Sequence, residues 1–187
     1  YTGQLIVERA LKEGLRPVLA GRNEKKLRAQ AERHNLDCRA FTLHDATKLD
    51  TALQEVDAVL HCAGPFVHTF SRMAEACLRT KRHYVDISGE IVGFEALARM
   101  DGEAKQAGIM LLPGAGFDVV PSDCLATHLN QRLPSARQYR LFVRGVGAGV
   151  SRGTAKSAIE NMHRQGMIRR DGQLVQVPPP FGRSGRP

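Results

Sequence analysis

The sequence predicts an α/β fold built on a doubly wound parallel sheet, because amphipathic helical segments alternate strictly with short apolar runs and because those runs end in Gly, Asp or Pro. The first helix spans about residues 3 to 13, where Ile6, Val7, Ala10 and Leu11 form one apolar face. Val18-Leu19-Ala20 follows Gly14, is too short for a helix and reads as a buried strand. Helices over 24–33, 47–55, 70–80, 91–107 and 121–132 then alternate with strands at Ala40-Phe41, Ala58-Val59-Leu60, Tyr84-Val85-Asp86-Ile87 and Ile109-Met110-Leu111-Leu112. Helical spacing is plainest in Leu49, Ala52, Leu53 and Val56, in Phe70, Met73, Ala74, Cys77 and Leu78, and in Cys124, Leu125, His128 and Leu129. Past Pro134 the pattern changes: Tyr139, Leu141 and Val143 alternate with Arg140, Phe142 and Arg144, as in a half-exposed antiparallel strand. Residues 1–133 therefore read as one α/β domain and residues 134–187 as the start of an α+β second domain, irregular from Val177 to Pro187.

With 42% hydrophobic residues in 187, the chain can bury one substantial core. A formal charge of +8 raises nucleic acid or an anionic membrane surface as partners. The distribution weakens both, since residues from Ser151 onward hold seven Lys or Arg against two Asp or Glu and the rest is close to balanced. There is no Trp, and no aromatic residue is interleaved with basic clusters, so stacking platforms are missing and no specific nucleic-acid partner is expected. Cys38, Cys62, Cys77 and Cys124 form no C-x-x-C pair and sit in apolar runs, which predicts buried thiols in a reducing compartment. No transmembrane segment and no signal-peptide pattern is found, so a cytoplasmic location is expected.

In doubly wound sheets ligands bind outside the carboxyl ends of the strands. Here those ends are Gly21-Arg22-Asn23, His44-Asp45, Cys62-Ala63-Gly64-Pro65, Asp86-Ile87-Ser88-Gly89-Glu90 and Pro113-Gly114-Ala115-Gly116-Phe117-Asp118. A Rossmann-type unit runs from a strand through a glycine-rich turn into a helix whose N-terminal amides receive a pyrophosphate. Tyr1-Thr2-Gly3 fits the end of such a turn, with the first strand and the start of the loop absent; Gly3 then permits close helix packing and Thr2 offers a hydroxyl to the phosphates. In the strand order of this fold the first strand is central, so its absence is expected to leave the second and fourth strands unpaired on facing edges. Arg22 lies 19 positions after Gly3, close to where an acid binds the ribose hydroxyls of NAD. An Arg there favours the 2′-phosphate of NADP, because guanidinium forks onto phosphate oxygens and stacks on adenine. Lys25 and Lys26 add charge nearby.

Tyr1-Thr2-Gly3, Ala20-Gly21-Arg22-Asn23, His61-Cys62-Ala63-Gly64-Pro65-Phe66, His83-Tyr84-Val85-Asp86-Ile87-Ser88-Gly89-Glu90 and Gly114-Ala115-Gly116-Phe117-Asp118-Val119-Val120-Pro121-Ser122-Asp123 stand in register over nearly the whole chain. This combination resembles the saccharopine dehydrogenase-like family of oxidoreductases, which includes trans-acting enoyl reductases. The resemblance implies that the chain binds NADP and reduces a carbonyl, imine or enoyl group of a small-molecule substrate, the cofactor supplying the hydride. It implies that Cys62, Ala63, Gly64, Pro65 and Phe66 line the pyrophosphate and nicotinamide-ribose side and that Asp45 approaches adenine. Asp86, Glu90 and Asp118 would face the nicotinamide end as catalytic candidates, positioning substrate or relaying a proton. Simpler roles also fit: a strand-end or helix cap for Asp86, solvent exposure for Glu90, a turn-stabilising Asp118. Family members carry a large second domain with substrate contacts, the surface through which a homodimer would form. A non-catalytic NADP-binding or scaffold module is the alternative, and a basic binder acting through residues after Ser151 a third.

Three other chemistries fit the sequence poorly. Gly149-Val150-Ser151-Arg152-Gly153 matches the G-x-S-x-G elbow of hydrolases, but past Ser151 the only Asp, Asp171, follows the only His, His163, so the order Ser, Asp, His is missing. Ser151 or Thr154 as N-cap of a helix containing Ala155, Ala158, Ile159 and Met162 is simpler. Short-chain dehydrogenases need Lys four positions after Tyr, whereas Tyr1, Tyr84 and Tyr139 are followed there by Leu5, Ser88 and Val143. The histidines show no paired ligand spacing, so no metal site is expected.

Overall fold

The computed structural model describes residues 1–142, 144, 155, 159, 166–171 and 173–178, and the chain divides into two compact units, Tyr1–Gly145 and Val146–Pro187. In the first unit helices and strands alternate in the expected order: α1 (Thr2–Lys12), β1 (Leu19–Gly21), α2 (Glu24–His34), β2 (Cys38–Ala40), α3 (Ala46–Leu53), β3 (Ala58–His61), α4 (Phe70–Thr80), β4 (His83–Asp86), α5 (Ile91–Arg99), α6 (Asp101–Ala107), β5 (Leu111–Leu112) and α7 (Val120–Arg132). The strands pair in parallel in two pieces, β1 with β2 and β3-β4-β5 in that order. Among the described residues β1 and β3 are each unpaired on their other edge, as expected for the second and fourth strands.

Two apolar clusters hold this unit. The larger one joins Leu49 and Leu53 of α3, Phe70, Met73, Ala74, Ala76 and Cys77 of α4, Tyr84 of β4 and Leu97 of α5. Spacing of three and four puts the α4 residues on one face, so this helix carries the core while Arg79 on its outer side forks onto Asp50 of α3 through two 2.8 Å bonds. Val7, Leu19, Leu27 and Ala31 pack the β1 side.

Four expectations are corrected. The helix expected over 91–107 is two helices, because Met100 (φ −85°, ψ 1°) ends α5 and begins α6, whose first turn carries Asp101 and Glu103 at the positive end of the helix dipole. The apolar stripe of α7 forms at the expected spacing, yet no residue of α7 is buried and Leu125 is 47% exposed. Cys124 on that helix is consequently exposed, Cys38 and Cys62 are half-buried, and only Cys77 is a fully buried thiol. The strand expected from Tyr139 is not formed over residues 139–142 or at Arg144, since no neighbouring strand among the described residues supplies the ladder its alternation requires.

The second unit contains an antiparallel hairpin, β6 (Gly166–Arg170) and β7 (Gln173–Val177), with Asp171 in the left-handed region at φ 49°. The Gly149–Gly153 motif, Ser151 and Thr154 lie outside the described residues. No helix among the described residues is long and apolar enough to cross a membrane.

Candidate functional site

Asn23 shapes the end of β1: its side chain accepts the Lys26 amide at 3.0 Å and so caps α2. That cap turns the chain so that Arg22 is exposed in an open cleft of about 310 Å³ lined by Gly21, Arg22, Asn23, Lys26, Leu27 and Gln30. Among the described residues Arg22 has no ion-pair partner, which leaves its guanidinium fork available to an anion. Asp45, past the neighbouring β2, caps α3: Oδ1 accepts the Lys48 amide at 3.0 Å and Oδ2 lies 3.5 Å from Lys48 Nζ. The amide bond, chiefly, holds this carboxyl below its ordinary range.

At the end of β3, His61 is 3% exposed and its Nε2 lies 3.0 Å from Thr69 Oγ1. The Thr69 hydroxyl donates to the Ala63 carbonyl at 2.7 Å, so the bond between them takes its proton from His61 Nε2. Burial lowers the imidazole pKa to about 4, against a smaller opposing pull from Asp86, and the ring is neutral near pH 7. Phe66 meets it edge-on at 5.7 Å. A Cβ on Gly3 would stand 3.8 Å from Cys62 Cβ, so the first turn of α1 rests against this loop. Gly3 and Cys62 are thereby brought together, and burial raises the Cys62 thiol above its usual range.

The ends of β4 and β5 are joined by a carboxyl group. Asp86 is fully buried; Oδ1 accepts from the Ser88 amide at 2.9 Å, the Ser88 hydroxyl at 2.7 Å and the Gly114 amide at 2.9 Å, while Oδ2 accepts from the Tyr84 hydroxyl at 2.6 Å. The Asp86 carbonyl takes the Ala115 amide at 2.7 Å, completing a double tie to the Gly114-Ala115-Gly116 turn. Gly116 is required there, because a Cβ would come within 2.8 Å of the Ile87 carbonyl oxygen. Tyr84, desolvated and donating to Asp86, has its pKa raised well beyond the ordinary phenol range.

Of the three carboxylates singled out in the sequence, Asp86 is therefore occupied by four neutral donors. Asp118 is exposed, with its Cβ 3.6 Å from where a Gly89 Cβ would stand, and Glu90 Oε2 is buried without a hydrogen-bond partner. Sequence reasoning missed His61 and Thr69 as an organising pair and Ser88 and Gly114 as partners of Asp86. Buried polar residues inside apolar runs were the available signal, since such groups must find partners. Among the described residues no three His, Cys, Asp or Glu gather as a metal site would need.

Two outcomes follow from these networks. Asp86→Ala strands a phenol, a hydroxyl and two amides, so urea denaturation should show a loss of about 3 kcal/mol or more, whereas Asp86→Asn keeps the Oδ1 bonds and should lose roughly half as much. Equal losses would contradict the network. The unfolded chain protonates His61 near 6.5 and the folded chain only near 4, so the stability that comes from keeping His61 neutral is present above pH 6.5 and is lost as pH falls towards 4. The difference in stability between wild type and His61→Gln should therefore change by about 3 kcal/mol across that window; a constant difference would refute it.

Comparison with known proteins places these strand ends in a family. Residues 1–112 match the saccharopine dehydrogenase NADP binding domain. A lipid droplet localized protein of Caenorhabditis elegans is 27% identical over 137 residues, 66% of this chain and 32% of that protein. A trans-acting enoyl reductase of Mycobacterium ulcerans is 26% identical over 137 residues, 70% of this chain and 32% of that protein. The chain thus spans about a third of the length of these relatives. The fold is that of apo saccharopine dehydrogenase (L-Glu forming) from Saccharomyces cerevisiae, with a TM-score of 0.61 at 20% identity over 70% of this chain and 28% of that one. The alternating α/β unit, with its polar strand ends, belongs to the saccharopine dehydrogenase family through that family's NADP-binding domain.

Proposed function

We propose that this chain is the cofactor-binding part of an NADP-dependent reductase acting on a carbonyl, imine or enoyl group of a small molecule. The observation that carries the reading is Arg22, exposed and unpaired among the described residues at the carboxyl end of β1, in a cleft with Lys26 and Gln30. A bound 2′-phosphate there receives a forked guanidinium contact, and no acid flanks Arg22 to compete for it or to favour a free ribose hydroxyl. To Thr2, Gly3 and the Cys62–Phe66 loop this reading assigns the pyrophosphate and nicotinamide ribose. When bound, NADPH supplies the hydride. The protein's own part is to hold the reacting groups and exclude water.

The structure supports different roles for the three carboxylates. Asp86, which accepts from four neutral donors, is assigned to orienting the strand ends rather than to proton transfer. The Glu90 and Asp118 carboxylates accept no hydrogen bond among the described residues, so both are able to take one from a substrate N–H or O–H. The buried Glu90 oxygen gains most from such a donor, because a buried acceptor left unpaired is costly.

Arg22→Asp is expected to weaken NADPH binding by about 1.5 to 3 kcal/mol, the range of a lost charge-assisted hydrogen bond, and to leave NADH binding nearly unchanged. Isothermal titration with both dinucleotides reads this, and equal weakening of both would remove Arg22 from the phosphate site.

A further inference from the structure

The loop that follows β3 carries a hydroxyl in an unusual place. Thr69 is the N-cap residue of α4, where a Thr side chain ordinarily accepts from its own helix, yet it makes no capping hydrogen bond. Its Oγ1 reaches back six residues to the Ala63 carbonyl, at 2.7 Å, with His61 Nε2 at 3.0 Å on its other side. The carbonyls of Pro65 and Phe66 lie farther off, both at 3.4 Å, so the single hydroxyl proton is committed to Ala63. A cap that stabilises α4 has been given up for a bond that fixes one peptide unit.

That peptide unit has a second end. Among the described residues the only cis bond is Gly64-Pro65, so Ala63–Gly64 is trans and its carbonyl and N–H point in opposite directions. With the Ala63 carbonyl turned towards Thr69, the Gly64 N–H is turned away from it. Gly64 is exposed, and its N–H donates no hydrogen bond among the described residues. The donor thus stands on the loop that Gly3 and the first turn of α1 abut, through Cys62. His61 adds rigidity: its ring is held between Phe66 at 5.7 Å and Tyr84 at 6.0 Å, so the proton it lends to Thr69 comes from a fixed direction.

We propose that Thr69 is a positioning residue for dinucleotide binding, which through the Ala63 carbonyl aims the Gly64 N–H at an acceptor oxygen of the cofactor. This rests on the reading of the strand ends as an NADP site. Nothing in the sequence around Thr69 marks it for this role, and Thr69 itself need not touch the cofactor.

The test is NADPH affinity by fluorescence titration, alongside thermal unfolding without ligand, for the intact wild type and for Thr69→Val, Thr69→Ser and Thr69→Ala. Thr69→Ser keeps the hydroxyl and should bind within about twofold of wild type; Thr69→Val should bind about tenfold more weakly at temperatures where it is fully folded. Thr69→Ala removes the hydroxyl without putting a methyl in its place and gives the same reading where Thr69→Val does not fold. Wild-type affinity in a folded variant without the hydroxyl overturns the role of Thr69 and leaves the NADP site standing. Weakening in Thr69→Ser equal to that in Thr69→Val also overturns it, because the hydroxyl would not be what matters. Absence of NADPH binding by wild type overturns the functional reading and this inference together.

Discussion

The buried carboxyl group of Asp86 is the constraint on which the candidate site depends. A fully buried carboxyl is costly unless its oxygens are satisfied, and here four neutral donors satisfy them. Three of those donors, from Tyr84 and Ser88, lie on or just past its own strand, but the Gly114 amide comes from the turn after β5, so satisfying Asp86 also fixes that turn. Gly116 then lies against the Ile87 carbonyl with no room for a side chain, and Asp118 is carried to a position beside Gly89. The placing of one candidate carboxylate is in this sense a consequence of burying another.

A second clasp works on the neighbouring strand in a similar way. His61, buried and neutral, lends its proton to Thr69, and Thr69 spends its own on Ala63. The two clasps meet at the His61 ring, which lies 6.0 Å from Tyr84, the donor to Asp86 Oδ2. Strand-end loops are ordinarily the most mobile parts of an α/β domain. Here hydrogen bonds running back to the buried side chains of His61 and Asp86 tie the loops after β3 and β5 to the core, which suits loops that must present backbone donors to a ligand in a fixed direction.

Much of the scaffold was legible in the sequence, for local reasons. Apolar runs of two to four residues between amphipathic segments identified all five parallel strands within a residue or two. What was not legible depends on contacts distant in sequence. Asp86 reads as a strand-end acid, and only the fold brings Gly114 to it from 28 residues away. Thr69 stands just before the helix expected over 70–80 with nothing to single it out, because the diversion of its hydroxyl depends on the turn through Gly64 and Pro65. The stripe on α7 was legible as a helix face, whereas its exposure depends on what packs against it, which periodicity does not encode. The break at Met100 carries no Pro or Gly at the break itself, so the sequence offered no stop there.

The central claim is that these strand ends form a site selective for the phosphorylated dinucleotide, and titration of the protein with NADPH and with NADH, followed by nicotinamide fluorescence, tests it most directly. Saturable NADPH binding at least about tenfold tighter than that of NADH is expected, the difference that one charge-assisted contact supplies. Equal affinity for the two, or no saturable binding of either by the folded protein, would contradict it.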